Sequence, residues 1–455
     1  MTGQPETAPM ATQPALSRSL AARHVAMISI GGIIGAGLFV GSSAAIAATG
    51  PAVLASYLLA GAVIYLVMRM LGEMAVARPD VHSFTEFARA GLGRSAGFIA
   101  GWLYWYFWIV VVPFEAIAGA NILHPWLALD EWIIGLVLMA AMTAVNLLSA
   151  RAYGEFEFWF ASIKVAAIAG FVLLALAWLL GTGRPVAAHN LLGDGLAPNG
   201  VAAVLAAVVT VFFSLTGAEI TTVAAAESVE PGRAIARLST AVVVRILFFY
   251  VASILLIVCV VPWREVMPGY SPFAQALERM GHPWAGSAMS LVILTAVLSC
   301  LNSAFYVTSR VLFSLAAAGD APNWLVKVNV RGVPTRSVWI GCLAGVAGIL
   351  VAKGMPGRVF TFLLNSAGAV IVFVYLLIGA AQLRLRAQRS AAAQAALPAQ
   401  MPWHPWLTLV AMLAMCIVLV AMGMMPSSRP ELLASLVALG VAALAAWLSR
   451  PGPRR

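Results

Sequence analysis

Long apolar runs joined by short polar stretches constrain this chain more than any other feature. Of its 455 residues, 62% are hydrophobic and 10% are charged, with a mean hydropathy of +0.95. A soluble core has no use for so much apolar surface, whereas a helix crossing a bilayer needs about 20 apolar residues in a row. The runs predict twelve spans, at roughly 24–46, 52–77, 97–123, 132–150, 157–180, 200–225, 239–262, 284–316, 336–352, 358–384, 405–424 and 431–449. The expected class is an all-α integral membrane protein with twelve transmembrane helices.

A net charge of +10 invites a nucleic-acid reading, but the placement of the charges excludes it. With the N-terminus in the cytoplasm, only Arg184, Arg264, Arg279, Lys353, Arg358 and Arg429 of the 27 Lys and Arg fall on the far side. The remaining 21 fall on the cytoplasmic side, as the positive-inside rule requires. Both termini are therefore expected in the cytoplasm. Cys259, Cys300, Cys342 and Cys416 are scattered through apolar runs with no CxxC, and read as small core residues. The six histidines form no HExxH, and no GxxxxGK[ST] loop occurs. No catalytic residues, metal ligands or cofactor are expected. A polytopic membrane enzyme would need converging acid/base or metal residues, and the chain offers single carboxylates on separate spans.

Glycine concentrates where a helix is required. ISIGGIIGAGLFVG carries Gly31, Gly32, Gly35, Gly37 and Gly41, although each glycine weakens a helix interior by about 0.5–1 kcal/mol. A lone GxxxG would serve close helix packing; this cluster is denser. Five spans later FFSLTGAEITTVAAAES brings Ser214, Thr216, Gly217 and the mid-span acid Glu219. Irregular segments at matching places in two five-span halves point to a secondary transporter. Two inverted five-helix repeats are expected, with spans 1 and 6 broken near the membrane centre, plus two extra helices. Amides freed at one break bind a carboxylate, and freed carbonyls bind a cation.

Residues 1–22, rich in Ala, Pro, Gln and Thr, form a disordered cytoplasmic tail without the basic start and cleavage site of a secretory signal. Residues 23–385 form the transport core of spans 1–10, and 386–401 an Ala/Gln-rich cytoplasmic linker. Residues 402–450 hold spans 11 and 12, and 451–455 a cytoplasmic tail.

Charge inside a span costs several kcal/mol unless paired or hydrated, and three such groups stand out. Lys164 in span 5 either snorkels to the polar start of its span or presses its ammonium on the unwound first span in place of a sodium ion. Glu115 in span 3 is either a protonated acid bonded to a neighbouring helix or part of a functional kink at Pro113. Glu219 stands beside the suspected break. Glu73, Arg69 and the run RPDVHSFTEFAR read as solvated or paired loop charges, with a gating network as the alternative. Asn302, Ser303 and Thr308 in span 8 bond either a ligand or a neighbouring helix.

Five strings carry a family resemblance over about residues 20–450: GGIIGAGLFVGSSAAIAATGPAVL, GWLYWYFWIVVVPFEA, NLLSARAYGEFEFWFASIKV, FSLTGAEITTVAAAES and SCLNSAFYVTSRVLFSLAAAGDAP. The chain resembles the bacterial amino-acid permeases of the amino acid–polyamine–organocation superfamily, and within them the gamma-aminobutyrate permeases. Sister permeases for aromatic amino acids, proline and lysine share the first-span glycines, both glutamates and the lysine; NLLSARAYGEFEFW and VPFEA tilt the resemblance to the gamma-aminobutyrate branch. It implies proton symport by alternating access in the inner membrane, with Lys164 matching the family's sodium-replacing lysine. A different amino-acid permease or an exchanger would share the same architecture. The expected partners are a small zwitterionic amino acid, protons and membrane lipid; no oligomeric state is assigned. The substrate carboxylate is expected on amides around Ile34, Gly35, Ala36 and Gly37, and its ammonium on carbonyls around Phe213, Ser214, Leu215 and Thr216. Glu115 or Glu219 would supply counter-charge, Asn302 a further contact, and Lys164 or Glu219 the proton transfer.

Overall fold

The computed structural model describes residues 33–78, 81, 84–148, 150–219, 231–397 and 399–449. The tails 1–22 and 451–455, the start of span 1 with Gly31 and Gly32, and residues 220–230 of the second glycine-containing segment lie outside the described residues. Every regular element among the described residues is helical.

Span 1 is split. Ile33 is helical, Ile34 and Gly35 leave the helix, and the chain resumes as α1 (Ala36–Phe39) and α2 (Ser42–Thr49). Then come α3 (Val53–Ala77), the short α4 (Phe84–Leu92), α5 (Arg94–Leu123), α6 (Glu131–Asn146) and α7 (Ala150–Trp178). The second half opens with α8 (Arg184–Leu192) and α9 (Gly200–Leu215), followed by α10 (Pro231–Val260) and α11 (Pro272–Arg279). It continues with α12 (Pro283–Ala317), α13 (Thr335–Ala352) and α14 (Pro356–Ala387). After the small α15 (Ala391–Ala395), α16 (Trp406–Met424) and α17 (Arg429–Leu448) complete the chain.

Among the described residues nine helical stretches are long and apolar enough to cross a membrane, the run Ala36–Ala77 counted once. The chain is a multi-pass membrane protein. α6 and α9, each of 16 residues, reach only about 24 Å at 1.5 Å per residue, and stand where spans 4 and 6 were expected. α9 is short because the backbone turns extended at Thr216 (ψ 143°) and enters the left-handed region at Gly217 (φ +127°), a conformation glycine adopts without a Cβ clash. Pro113 does not break α5, which runs on from Arg94 to Leu123.

Each of the first four spans packs against the one five places on. α3 lies along α10, α5 along α12 and α6 along α13, and α9 meets both α1 and α2. This pairing of the two halves is the inverted-repeat arrangement that the two irregular segments implied. α5 runs through the middle of it, with 78% of its most apolar stretch buried, against 22% for α7 and for α17. Leu173, Val437 and Val441 on those outer helices are well exposed, a surface suited to hydrocarbon rather than water.

Candidate functional site

The break in span 1 frees backbone groups, and each has found a partner. At Gly35 the backbone is extended (φ −130°, ψ −157°), and α1 starts at Ala36. The Ala36 N–H donates to both carboxylate oxygens of Glu115 on α5, at 3.1 and 3.2 Å. A Cβ on Gly35 would come within 2.7 Å of Glu115 Oε1 and 2.6 Å of Cys300 Sγ. Glycine is therefore required here by the close approach of α5 and α12. On the other side of the break the Tyr250 hydroxyl of α10 donates to Ile33 O at 2.9 Å.

The break in span 6 is held against the first. Ser214 Oγ donates to Gly37 O at 2.7 Å, and a Cβ on Gly37 would stand 2.9 Å from Ser214 Cα. Tyr250 also reaches Ser214 O, at 3.2 Å, so one hydroxyl bridges carbonyls of both broken helices. Beyond the break the Glu219 carboxylate accepts from Gly217 N–H at 3.1 Å and from the Tyr375 hydroxyl of α14 at 3.1 Å. Thr216 Oγ1 turns back to Phe212 O at 2.6 Å. Phe213 stacks edge-on against Phe114, with ring centroids 4.6 Å apart.

Gly35, Gly37, Glu115, Phe213, Thr216 and Cys300 meet around a cavity of about 10 Å³, completed by neighbours that include Trp108. That is room for roughly one water molecule, so the protein stands closed. Ala36, Ser214 and Leu215 are buried at its edge in α1 and α9, and Ile34 is buried in the break itself. Asn302 is not brought there: its Oδ1 accepts from Asn146 Nδ2 of α6 at 2.7 Å. It serves helix–helix contact, the alternative to ligand binding that its residue type left open.

Lys164 is fully buried, which removes the snorkelling reading. Its Nζ donates to Ser299 Oγ of α12 at 2.6 Å and lies 3.8 Å from Glu157 Oε1. Ser299 Oγ in turn donates to Glu157 Oε1 at 2.5 Å. Reading the sequence missed Glu157, Ser299, Cys300 and Tyr250 as members of this region. For Glu157 a signal existed: it stands seven residues before Lys164 on one helix, hence on the same face. Glu73 of α3 is paired, the second of the two alternatives its sequence context left open, and not solvated. Its buried carboxylate accepts from Gln382, from Arg386 Nη1 at 2.8 Å and from Met401 N–H at 2.5 Å.

Two apposed helix breaks sharing a small buried cavity, with charges at its edge, are the layout of a carrier, and comparison with known proteins agrees. The amino acid permease family model matches residues 24–448. A "Probable GABA permease" of Pseudomonas aeruginosa is 46% identical, over 92% of this chain and 90% of the relative. A "Gamma-aminobutyric acid permease" of Escherichia coli is 43% identical, over 94% of this chain and 93% of its own. An "Aromatic amino acid transport protein" of Corynebacterium glutamicum is 36% identical, over 97% and 96%. Among solved structures, a manganese transporter of Eremococcus coleocola (a mutant form) superposes with a TM-score of 0.61 at 13% identity, covering 94% of this chain and 92% of that one; this likeness concerns the fold alone. A family match over nearly the whole length, on a fold with its paired breaks in place, leaves one assignment: the chain belongs to the amino acid permease family.

Proposed function

We propose that this chain is a secondary active permease that carries gamma-aminobutyrate inward with protons, by alternating access across the bacterial inner membrane, with both termini in the cytoplasm. The observation that carries the substrate reading is the 41–46% identity to three proteins named as GABA permeases, each over more than nine-tenths of the chain. The aromatic amino-acid transport proteins stand lower, at 34–36%. No bond in the substrate is made or broken, and the work is translocation.

Loading requires the two breaks to part, because the present cavity admits about one water molecule. As the Ser214–Gly37 bond opens, the substrate carboxylate takes amides of Gly35, Ala36 and Gly37. The ammonium, three carbons away, takes carbonyls around Phe213, Ser214 and Leu215. Glu115 holds the Ala36 N–H in the closed state and has to yield it, so its part is that of a competitor rather than a counter-charge. Lys164 supplies the fixed cation that a sodium ion would otherwise provide beside span 1, and it exchanges a proton as the cavity opens and closes; Glu219 is the alternative proton carrier.

Uptake of a labelled amino-acid panel into proteoliposomes tests this, with and without a proton gradient and in the absence of sodium. Gamma-aminobutyrate should accumulate, and a protonophore should abolish accumulation. Transport of phenylalanine, proline or lysine without gamma-aminobutyrate would overturn the substrate. Strict sodium dependence, or exchange indifferent to the protonophore, would overturn the coupling.

A further inference from the structure

Lys164, Ser299 and Glu157 form a line of three buried polar groups, none of them exposed. The distance from Lys164 Nζ to Glu157 Oε1 is 3.8 Å, too long for a proton to pass directly along a hydrogen bond. The Ser299 hydroxyl fills the gap, accepting from Nζ at 2.6 Å and donating to Oε1 at 2.5 Å. A hydroxyl is the one common side-chain group that accepts and donates through a single atom. A plain ion pair would need no such intermediary, since the lysine could meet the carboxylate itself.

We propose that Ser299 relays a proton between Lys164 and Glu157, and that Glu157 is the acid through which the transported proton leaves. The inference rests on the proton-coupled reading above. In the step, an Nζ–H bond breaks as its proton bonds to Ser299 Oγ, while the proton already on Oγ passes to Glu157 Oε1. Ammonium and carboxylate become amine and carboxylic acid, the serine is regenerated, and no net charge leaves the site. Discharging the pair in place avoids moving a bare charge through a low-dielectric interior. Glu157 lies seven residues toward the start of α7, about 10 Å along a helix axis, at the end that the distribution of Lys and Arg assigns to the cytoplasm. The relay thus points inward. Among the described residues, the other ionisable groups near Lys164 are Glu115 of α5 and the Cys300 thiol of α12; Ser303, one turn along α12, also contacts Glu157.

The test uses the full chain in proteoliposomes loaded with a pH-sensitive dye. Substrate-evoked internal acidification and gamma-aminobutyrate counterflow are read from the same vesicles. Ser299→Ala should lose acidification by about tenfold or more while counterflow stays near the parent rate, and Ser299→Thr should restore acidification. Glu157→Gln should behave as the alanine variant does. Parent-like acidification in either Ser299→Ala or Glu157→Gln would overturn the relay. So would joint loss of acidification and counterflow in both, which marks a structural role. If Ser299→Ala fails to insert, Glu157→Gln decides by the same criteria. A parent that shows no substrate-evoked acidification overturns proton coupling itself, and that result is distinct from a relay that fails in a coupled parent.

Discussion

Glu115→Gln should bind gamma-aminobutyrate more tightly than the parent. In the closed structure the Glu115 carboxylate occupies the Ala36 N–H through both oxygens, the amide assigned above to the substrate carboxylate. A hydrogen bond to a charged acceptor contributes about 1.5–3 kcal/mol and a neutral one about 0.5–1.5 kcal/mol. Glutamine keeps an acceptor oxygen for Ala36 but gives up the charge, so the substrate displaces a partner weaker by about 1 kcal/mol, or about fivefold in affinity. Repulsion between the two carboxylates disappears as well and adds in the same direction. Equilibrium binding of labelled substrate to purified protein provides the measurement. Weaker binding by Glu115→Gln would refute the argument, because it would make Glu115 the counter-charge of the ammonium. Glu115→Ala is the poorer probe, since it leaves the Ala36 N–H unpaired and opens a void.

Gly37→Val puts a Cβ 2.9 Å from Ser214 Cα, a backbone atom with little room to yield, at an overpacking cost of about 1–3 kcal/mol; uptake should vanish while membrane insertion persists, and retained substrate binding would return Gly37 to a packing role. Glu73→Gln removes a charged acceptor from Arg386, Gln382 and Met401 N–H, and should cost about 1.5–3 kcal/mol, read as a lower unfolding temperature in detergent; an unchanged temperature would dismiss the cluster as structural support. His404, beside that cluster, has its pKa lowered by burial and by Arg386, with Glu73 acting in the opposite sense. The folded chain therefore binds fewer protons at His404 than the unfolded one, so its share of stability is intact above about pH 6.5 and declines as pH falls below it. His404→Gln should flatten the dependence of unfolding temperature on pH over that range, and an unchanged slope would refute it.

The architecture was legible because its causes are local. Length and apolarity mark the spans, and the glycines at 35 and 37 mark the first break; Gly217 marks the second. What stayed hidden depends on distant partners. Glu115 announces itself as a buried acid, yet nothing near it in sequence says that it faces the Ala36 N–H, 79 residues away. Glu157 sits in GEFEFW at the polar start of α7, where a carboxylate looks solvated; only α12, 142 residues on, encloses it with Ser299. Asn302 looked like a ligand-binding residue for want of a visible partner, and Asn146 is that partner. Glu73 looked like a loop charge because the segment that covers it, around Met401, is more than 300 residues away.

The two ends of the helix bundle are held by different physics. Toward the end poor in Lys and Arg, Phe273 of α11 packs against Phe39 of α1 and Phe171 of α7, with centroids 5.0 and 4.9 Å apart. Toward the basic end, Glu73 ties α3 to α14 and to the segment before α16, and Arg89 of α4 pairs with Asp320 beyond α12. Trp102 Nε1 donates to Asp320 O at 3.1 Å and fixes that loop on α5. The apolar burial that holds the rings together is non-directional, whereas a carboxylate with three donors has one good geometry. Phe39 lies one turn from the break at Gly35, so a tilt of α1 about that break moves this aromatic cluster with it. The polar cluster restrains α3 and α14, and both pack directly on the broken α9, with Ser56 Oγ of α3 donating to Val204 O at 2.7 Å. Release at the basic end thus reaches the broken α9 directly through α3 and α14, and Tyr375 of α14 carries it to Glu219 beyond the break, while the Tyr250 hydroxyl of α10 ties both breaks together.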